Sequence, residues 1–261
     1  MGPIPIEPRD VMVSLVFVAV AIAAARWEHT GEETGIAVAA IRAIVQLVAI
    51  GYVIEAVFGL DHPAATAGFI AVMVGFATQI AAGRGASVPG RIRVAAVAIT
   101  AASVGVLAAM VALAIVPAEP RYLIPVAGML IGNSMSACGI VLREIGRERT
   151  RTAVELETAL SLGAPPRAAA RDSRRRTMRA ALGPLIDGTK AVGVVSLPGA
   201  MTGMILAGLS PLYAVQLQMI VMFMLLGATS ISVLLAVELG TARLFNADAQ
   251  LVGPGSAVGE R

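Results

Sequence analysis

REIGRERTRTAVELETALSLGAPPRAAARDSRRRTMRAALGPLIDGTK, residues 143–190, is the stretch that decides how this chain is read. It holds eleven of the chain's twenty lysines and arginines and lies between long apolar segments. Basic residues are retained on the cytoplasmic side of membrane proteins, so a basic island between apolar runs sets the orientation of its flanks. It is also the one large polar surface that the sequence offers to a soluble partner.

Outward from this island the chain is apolar. Of 261 residues, 57% are hydrophobic and 14% charged, whereas about a quarter of residues are charged in an ordinary globular protein. A hydrocarbon core about 30 Å thick needs roughly 20 apolar residues to cross as a helix. Seven stretches qualify, at about 10–26, 35–58, 63–82, 94–116, 122–142, 191–208 and 212–238. The expectation is an all-α polytopic membrane protein: one transmembrane domain over 1–240, a cytoplasmic loop (143–190) between helices 5 and 6, and a disordered cytoplasmic tail, 241–261. The glycine-rich end of that tail, VGPGSAVGER, reads as disordered.

The net charge of +3 and pI near 9.6 do not indicate nucleic acid as a partner. Nucleic-acid binding needs an exposed basic face, and here the positive-inside rule accounts for the same charges. The single cysteine, Cys138, lies in an apolar segment, so there is no disulfide framework. The first segment, VMVSLVFVAVAIAAA, ends in small residues as a cleaved signal does. Glu7, Arg9 and Asp10 cancel before it, and Arg26 with Trp27 follow as interfacial anchors, which favours a retained helix.

Counting bases in alternate connections orients the helices. Arg84, Arg91 and Arg93 mark one connection and the 143–190 island another, whereas 59–62 and 209–211 carry none and 117–121 only Arg121. Seven helices then place the N-terminus outside and Arg243 and Arg261 inside. The acidic connection WEHTGEET (27–34) also falls inside, and acids weigh little in this rule.

Within the island the composition shifts from helix to break to helix. ELETALSL (155–162) has good helix formers, Gly163 can end that helix, and Pro165 with Pro166 suits a restart. RAAARDSRRRTMRAAL (167–182) reads as a basic helix ending before Gly183 and Pro184. Arg174, Arg175, Arg176 and Arg179 could meet acidic lipid headgroups or a protein partner.

Polar groups inside a membrane are costly, which makes each a functional suspect. Arg42 and Gln46 sit i, i+4 in the second stretch with Glu55 beyond them; the third carries Gln79, the fifth Asn133, Ser134, Ser136 and Cys138, and the last Gln216 and Gln218. These are candidates for a translocation path. Each also has a plainer role: Arg42 can snorkel to the interface, and Asn133 and Ser136 can bond between helices. Small residues four apart at Gly128, Gly132 and Ser136, and at Gly199, Gly203 and Ala207, suit close helix packing, including packing between two copies. Pro198 would weaken the sixth helix near Val194 and serve as a hinge. The methionines of the later helices read as gap-filling core rather than thioether ligands.

The residues leave enzyme classes poorly supported. A zinc hydrolase needs three or four clustered ligands, yet His29 and His62 fall at opposite faces, and there is no G-x-S-x-G elbow. A phosphate-binding G-x-x-x-x-G-K-[ST] loop is also missing, the one lysine, Lys190, being preceded by threonine.

ALSLGAPPRAAA followed by RAALGP resembles the coupling loop of ABC transporter permeases. GMLIGNSMSACGIVL (128–142), ALSLGAPPRAA (159–169), KAVGVVSLPGAMTGMILAGLSP (190–211) and VMFMLLGATS (221–230) together resemble the FetB-type permease family, bacterial proteins linked to iron export and related to plant permeases associated with aluminium tolerance. The resemblance runs from about Ile41 to Ala236 and departs at the first dozen residues and the tail. It implies a multi-pass plasma-membrane permease subunit that exports iron or a related metal ion by ATP-driven alternating access. It further implies that Glu155, Glu157, Leu160, Leu162, Gly163, Ala164 and Pro165 form the surface that engages a separate ATPase. With no nucleotide loop of its own, the chain would bind no cofactor; ATP and Mg would sit on two ATPase copies serving a permease homodimer. Other readings stay open: an ABC permease for another small solute, such as a sugar nucleotide or metal chelate, or a channel or receptor without an ATPase.

Overall fold

The computed structural model describes residues 8–60, 62–246, 248 and 250–252. All regular structure among them is helical: α1 (Pro8–Trp27), α2 (Glu33–Leu60), α3 (Pro63–Gly83), α4 (Arg91–Ala112), α5 (Pro120–Arg151), α6 (Ala153–Ser161), α7 (Pro166–Ala169), α8 (Arg171–Ala191), α9 (Gly199–Leu206) and α10 (Pro211–Ala242). Six are long and apolar enough to cross a membrane, namely α1, α2, α3, α4, α5 and α10. Their contacts define two bodies. Residues up to His62 with Leu206–Gly208 form one, and Pro63–Ile205 with the chain from Leu209 onward form the other.

In the first body α1 packs against α2. Both helices are apolar nearly all round, with Phe17, Val38, Ile41 and Leu47 exposed. A helix with no polar face belongs in lipid or beneath other helices.

In the second body α5 is the central element, packed against α3, α4, α8 and α10. At 1.5 Å per residue its 32 residues reach roughly 48 Å, well beyond an apolar core of about 30 Å. Its last turns therefore project from the apolar layer, carrying Arg143, Arg147, Glu148, Arg149 and Arg151. Pro120 opens the helix at the first turn, where a missing amide costs nothing. Ser210 caps α10 by accepting the Tyr213 amide, again with proline next in the chain. Alanines keep the helices close: Ala81, Ala95, Ala98, Ala228 and Ala236 are fully buried beside Ile99, Leu130 and Leu142. Small interfacial residues are what lets membrane helices gain dispersion contact without a hydrophobic drive between them.

One end of this body gathers the polar groups. Arg149 donates to the Ser87 carbonyl at 3.2 Å and to the Val252 carbonyl, joining the α3–α4 connection, the foot of α5 and the tail. Of the tail, the structure describes residues 241–246, 248 and 250–252. Phe245 pairs with Leu251, the Val252 amide donates to the Leu244 carbonyl at 2.8 Å, and Leu244 and Val252 are buried. The remainder of VGPGSAVGER, from Gly253, lies outside the described residues.

Two expectations about segments change. The basic helix does not stop before Gly183: α7 is a single turn, and α8 continues through Gly183 and Pro184 to Ala191. Packing against α5 and α10 supplies what the local sequence lacks, and membrane helices tolerate such residues where neighbours surround them. The stretch 191–208, expected as a sixth continuous span, is instead the end of α8, an irregular passage and the eight-residue α9. Gly193 takes a left-handed φ of 84° there. Pro198 lies before the first turn of α9, its carbonyl accepting the Thr202 amide at 3.0 Å. It starts a helix rather than kinking one.

Close approach at the basic end makes a direct prediction. A Cβ added to Gly85 would lie 2.5 Å from Leu142 Cβ, against buried, inflexible structure. Gly85→Ala should lower stability by roughly 1–3 kcal/mol, read as a lower midpoint of thermal unfolding in detergent; an unchanged midpoint would show that this contact relaxes freely.

Candidate functional site

The basic end carries a hairpin that the sequence encodes in a few residues. α6 ends in a Schellman motif, with the Gly163 amide donating to the Leu160 carbonyl at 2.9 Å and the Ala164 amide to the Ala159 carbonyl at 3.0 Å. The motif needs a left-handed residue, and Gly163 supplies it at φ 86°. Pro165, extended, then leads into α7 with Pro166 in its first turn. The turn thrusts Leu162 outward, 84% exposed, while Leu156 on the opposite side of α6 is buried.

Of the residues expected to engage a partner, Glu157, Leu160, Gly163, Ala164 and Pro165 line one groove of about 650 Å³. Glu155 and Leu162 are exposed on the same hairpin but outside that lining. The other wall comes from Asp248, Gln250 and Leu251 of the tail. None of these three residues stood out in the sequence; Gln250 also bonds Asn246 beside them at 3.0 Å.

Two carboxylates fasten the hairpin to the long helices. Glu148 on α5, buried, accepts from Arg176 on α8 at 2.7 Å and lies 3.7 Å from Arg151. Glu238 on α10 accepts from Arg174 and, at 3.0 Å, from Arg167 on α7. The hydrogen bond that Arg176 donates to Glu148 raises its affinity for its proton, whereas burial, then the charge of Arg167, lowers that of Arg174. Arg174, largely buried, and Arg176, 44% exposed, are thus ion-pair partners of the long helices, while Arg175 and Arg179 are exposed. Glu238, near the end of the last long helix, belongs to this fastening.

A second site lies deeper, where α8 gives way to the irregular passage. The helix ends at Ala191, whose carbonyl accepts the Val195 amide at 2.9 Å and the Ser196 amide at 3.2 Å, while Gly193 donates to the Ser196 carbonyl at 2.9 Å. A backbone off the helical ladder at membrane depth is tolerated when it is buried in protein or lines a cavity. Here it borders one of about 380 Å³ whose polar lining is Asn133, Ser136, Thr189, Ser196 and Thr229. An adjoining cavity of about 350 Å³ shares Thr189 and Met222 and adds Gln218, Met201 and Met219.

The candidates for a translocation path separate accordingly. Asn133, whose side-chain amide donates to the Met129 carbonyl at 2.9 Å, and Ser136 border the cavity. Ser134 and Cys138 are fully buried in the helix packing instead, and the Ser134 carbonyl accepts from Ser232 at 3.4 Å. Gln79 is exposed on α3; Arg42, Gln46 and Glu55 are exposed on α2 of the first body. Thr189, Ser196 and Thr229 were missed because isolated hydroxyls are common in membrane helices. Gly193 and Pro198, five residues apart, were the readable sign of the break that assembles them.

The fold and these two sites define a multi-pass membrane protein with a rigidly held polar hairpin at one end and a neutral cavity at an interrupted segment. The chain belongs to the family described as "Uncharacterised protein family (UPF0014)", which matches residues 8–245. It is 40% identical over 234 residues to rice "UPF0014 membrane protein STAR2", covering 90% of this chain and 82% of that one. It is 39% identical over 191 residues to Arabidopsis thaliana "Protein ALUMINUM SENSITIVE 3", covering 73% and 70%. Against Escherichia coli "Probable iron export permease protein FetB" it is 34% identical over 247 residues, covering 95% of each. No solved structure matches it.

The fastening is testable. Glu238→Gln should leave Arg174, 15% exposed, without its counter-charge and cost roughly 1–3 kcal/mol. Pairing it with Arg174→Gln in a double-mutant cycle should recover part of that loss in thermal unfolding; additive effects would mean that the pair contributes nothing.

Proposed function

We propose that this chain is the membrane-spanning permease subunit of an ABC-type exporter of iron or a related metal species, driven by a separate ATPase that docks on the hairpin. The exposed turn at Leu162–Gly163, held on a hairpin clamped to α5 and α10, is the observation that carries this reading. A lipid-binding basic helix has no need of an apolar knob at its tip or of a glycine bend between prolines. A motor protein needs something of that kind: a compact projection that transmits a push because its base cannot slide.

The likeness to a relative named as a probable iron export permease supports the direction and the cargo. The basic end is then the cytoplasmic one, and the membrane is the plasma membrane. The sequence contains no nucleotide loop, so ATP and Mg sit on the partner. Two ATPase sites acting together call for two permeases, and the assembly is a homodimer with two ATPase copies.

Leu162→Asp tests the docking surface without disturbing the core, since Leu162 is 84% exposed. Co-purification with the ATPase should fall at least about tenfold, roughly 1.4 kcal/mol of binding, and ATP-driven metal efflux from vesicles should be lost while thermal unfolding is unchanged. Gly163→Trp should act in the same direction, with added backbone strain. Undiminished ATPase binding and efflux in Leu162→Asp would remove the docking assignment, and nucleotide hydrolysis by the purified permease alone would overturn the subunit arrangement.

A further inference from the structure

The cavity at the α8–α9 break has a chemical character that limits what it can hold. Its polar lining consists of hydroxyls and amides, with thioethers and apolar walls between them. None of the lining residues is acidic, none is a histidine or a cysteine, and none is basic. Among the described residues no group of three or more His, Cys, Asp or Glu could hold a metal ion. A bare ferric or aluminium ion prefers hard, anionic oxygen ligands, and removing it from water against neutral groups alone is prohibitively costly.

Two lining groups nonetheless call for a ligand. Thr229, 3% exposed, leaves its hydroxyl without a hydrogen-bond partner, and Gln218, 5% exposed, leaves its side-chain carbonyl without one. Burying such groups unsatisfied costs about 1–3 kcal/mol each, and they come from one helix, α10, three turns apart on the side that borders the break. Asn133 and Ser136 on α5 and Thr189 and Ser196 around the break supply further donors and acceptors opposite. Neutral donors and acceptors spread over adjoining spaces of about 380 and 350 Å³ match an oxygen-rich organic ligand several times the size of an ion.

We propose that this cavity is the cargo site and that it takes the metal as a preformed complex with a small hydroxycarboxylate chelator, not as a bare ion. The chelator carries the anionic oxygens that the protein lacks, so the complex enters with the metal's charge already compensated. Thr229 and Asn133 hydrogen-bond the chelator's outer oxygens, Gln218 accepts from its hydroxyl, and Met201 and Met222 pack against its carbon skeleton. The interrupted backbone brings Thr189 and Ser196 to the edge of this one cavity, whereas a straight helix would set them two turns, about 10 Å, apart along its axis. This assignment rests on the permease reading.

Binding to the purified full-length permease separates the two. Radioactive ferric citrate should bind saturably, citrate-bound aluminium should compete with it, and ferrous ion supplied without chelator under reducing conditions should neither bind comparably nor compete. Thr229→Val, which preserves volume, and Gln218→Leu should each weaken ferric citrate binding about tenfold, with Thr229→Ser restoring it; thermal unfolding close to that of the unaltered protein verifies the fold. Equal or tighter binding of the unchelated ion, no binding of ferric citrate, or binding indifferent to both substitutions would overturn the proposal. ATP-driven transport assayed with the ATPase partner fails for every cargo if the permease reading is wrong, whereas transport of unchelated ion alone refutes only the chelate.

Discussion

Everything at the basic end depends on two buried or half-buried carboxylates, Glu148 and Glu238, that hold α8 against α5 and α10. α8 is otherwise an awkward helix. Its first half is arginine-rich, it contains Gly183 and Pro184, and its far end dissolves into an irregular passage. Without anchors it would have little reason to stay against apolar neighbours. Each carboxylate meets two arginines, so one charge offsets the desolvation of more than one guanidinium, and the long side chains bridge between the hairpin and the helices beneath it. Single surface ion pairs contribute little; these are partly buried and connected, and a network of that kind resists being pulled apart one bond at a time.

With its start secured, α8 can afford to be broken lower down. The passage 192–198 satisfies its backbone locally, through the amides of Gly193, Val195 and Ser196, and leaves its side chains and hydroxyls at the edge of a cavity. This division between a charged, fixed half and a neutral, irregular half follows from where each lies relative to water. Ion pairs are inexpensive at the polar end, and uncharged hydroxyls and amides are the polar groups that membrane depth tolerates best.

Much of this was legible in the residues. The Gly163 bend followed by paired prolines is a local signal, because left-handed backbone and a proline first turn depend on the residues that occupy them, and the observed motif matches it bond for bond. Apolar length picked out, among its seven stretches, the six helices that are long and apolar enough to cross a membrane, for the same reason. What could not be read was tertiary. Glu148 and Arg176 are 28 residues apart in the chain, so the arginine run read as a surface for lipid headgroups or a protein partner, and its pairing with α5 did not show. Gly183 and Pro184 looked like a stop because nothing local compensates them, and the packing of α5 and α10 does. Residues 191–208 passed as a span because hydropathy registers composition alone, while Gly193 and Pro198 interrupt the hydrogen-bond ladder without making the stretch less apolar.

The geometry also links the two sites within one element. From Arg176 to Thr189 is thirteen residues of α8, or roughly 20 Å of helix, enough to reach from the polar end to the cavity. In the proposed transporter a push on the Leu162 turn passes through α7 and the Arg167–Glu238 and Arg174–Glu238 bonds to the head of α8, and the helix delivers it to the break. A continuous helix in that position would have to move through the membrane as a whole. A helix that ends at Ala191 can instead tilt, and the passage to Pro198 absorbs the change in its few free dihedrals, as hinge segments do. Thr189 lies just before that hinge and Ser196 within it, so a motion there also shifts two groups lining the cavity relative to each other. In that proposed transporter, the break that borders the cargo cavity is therefore the same feature through which mechanical work would reach the cargo.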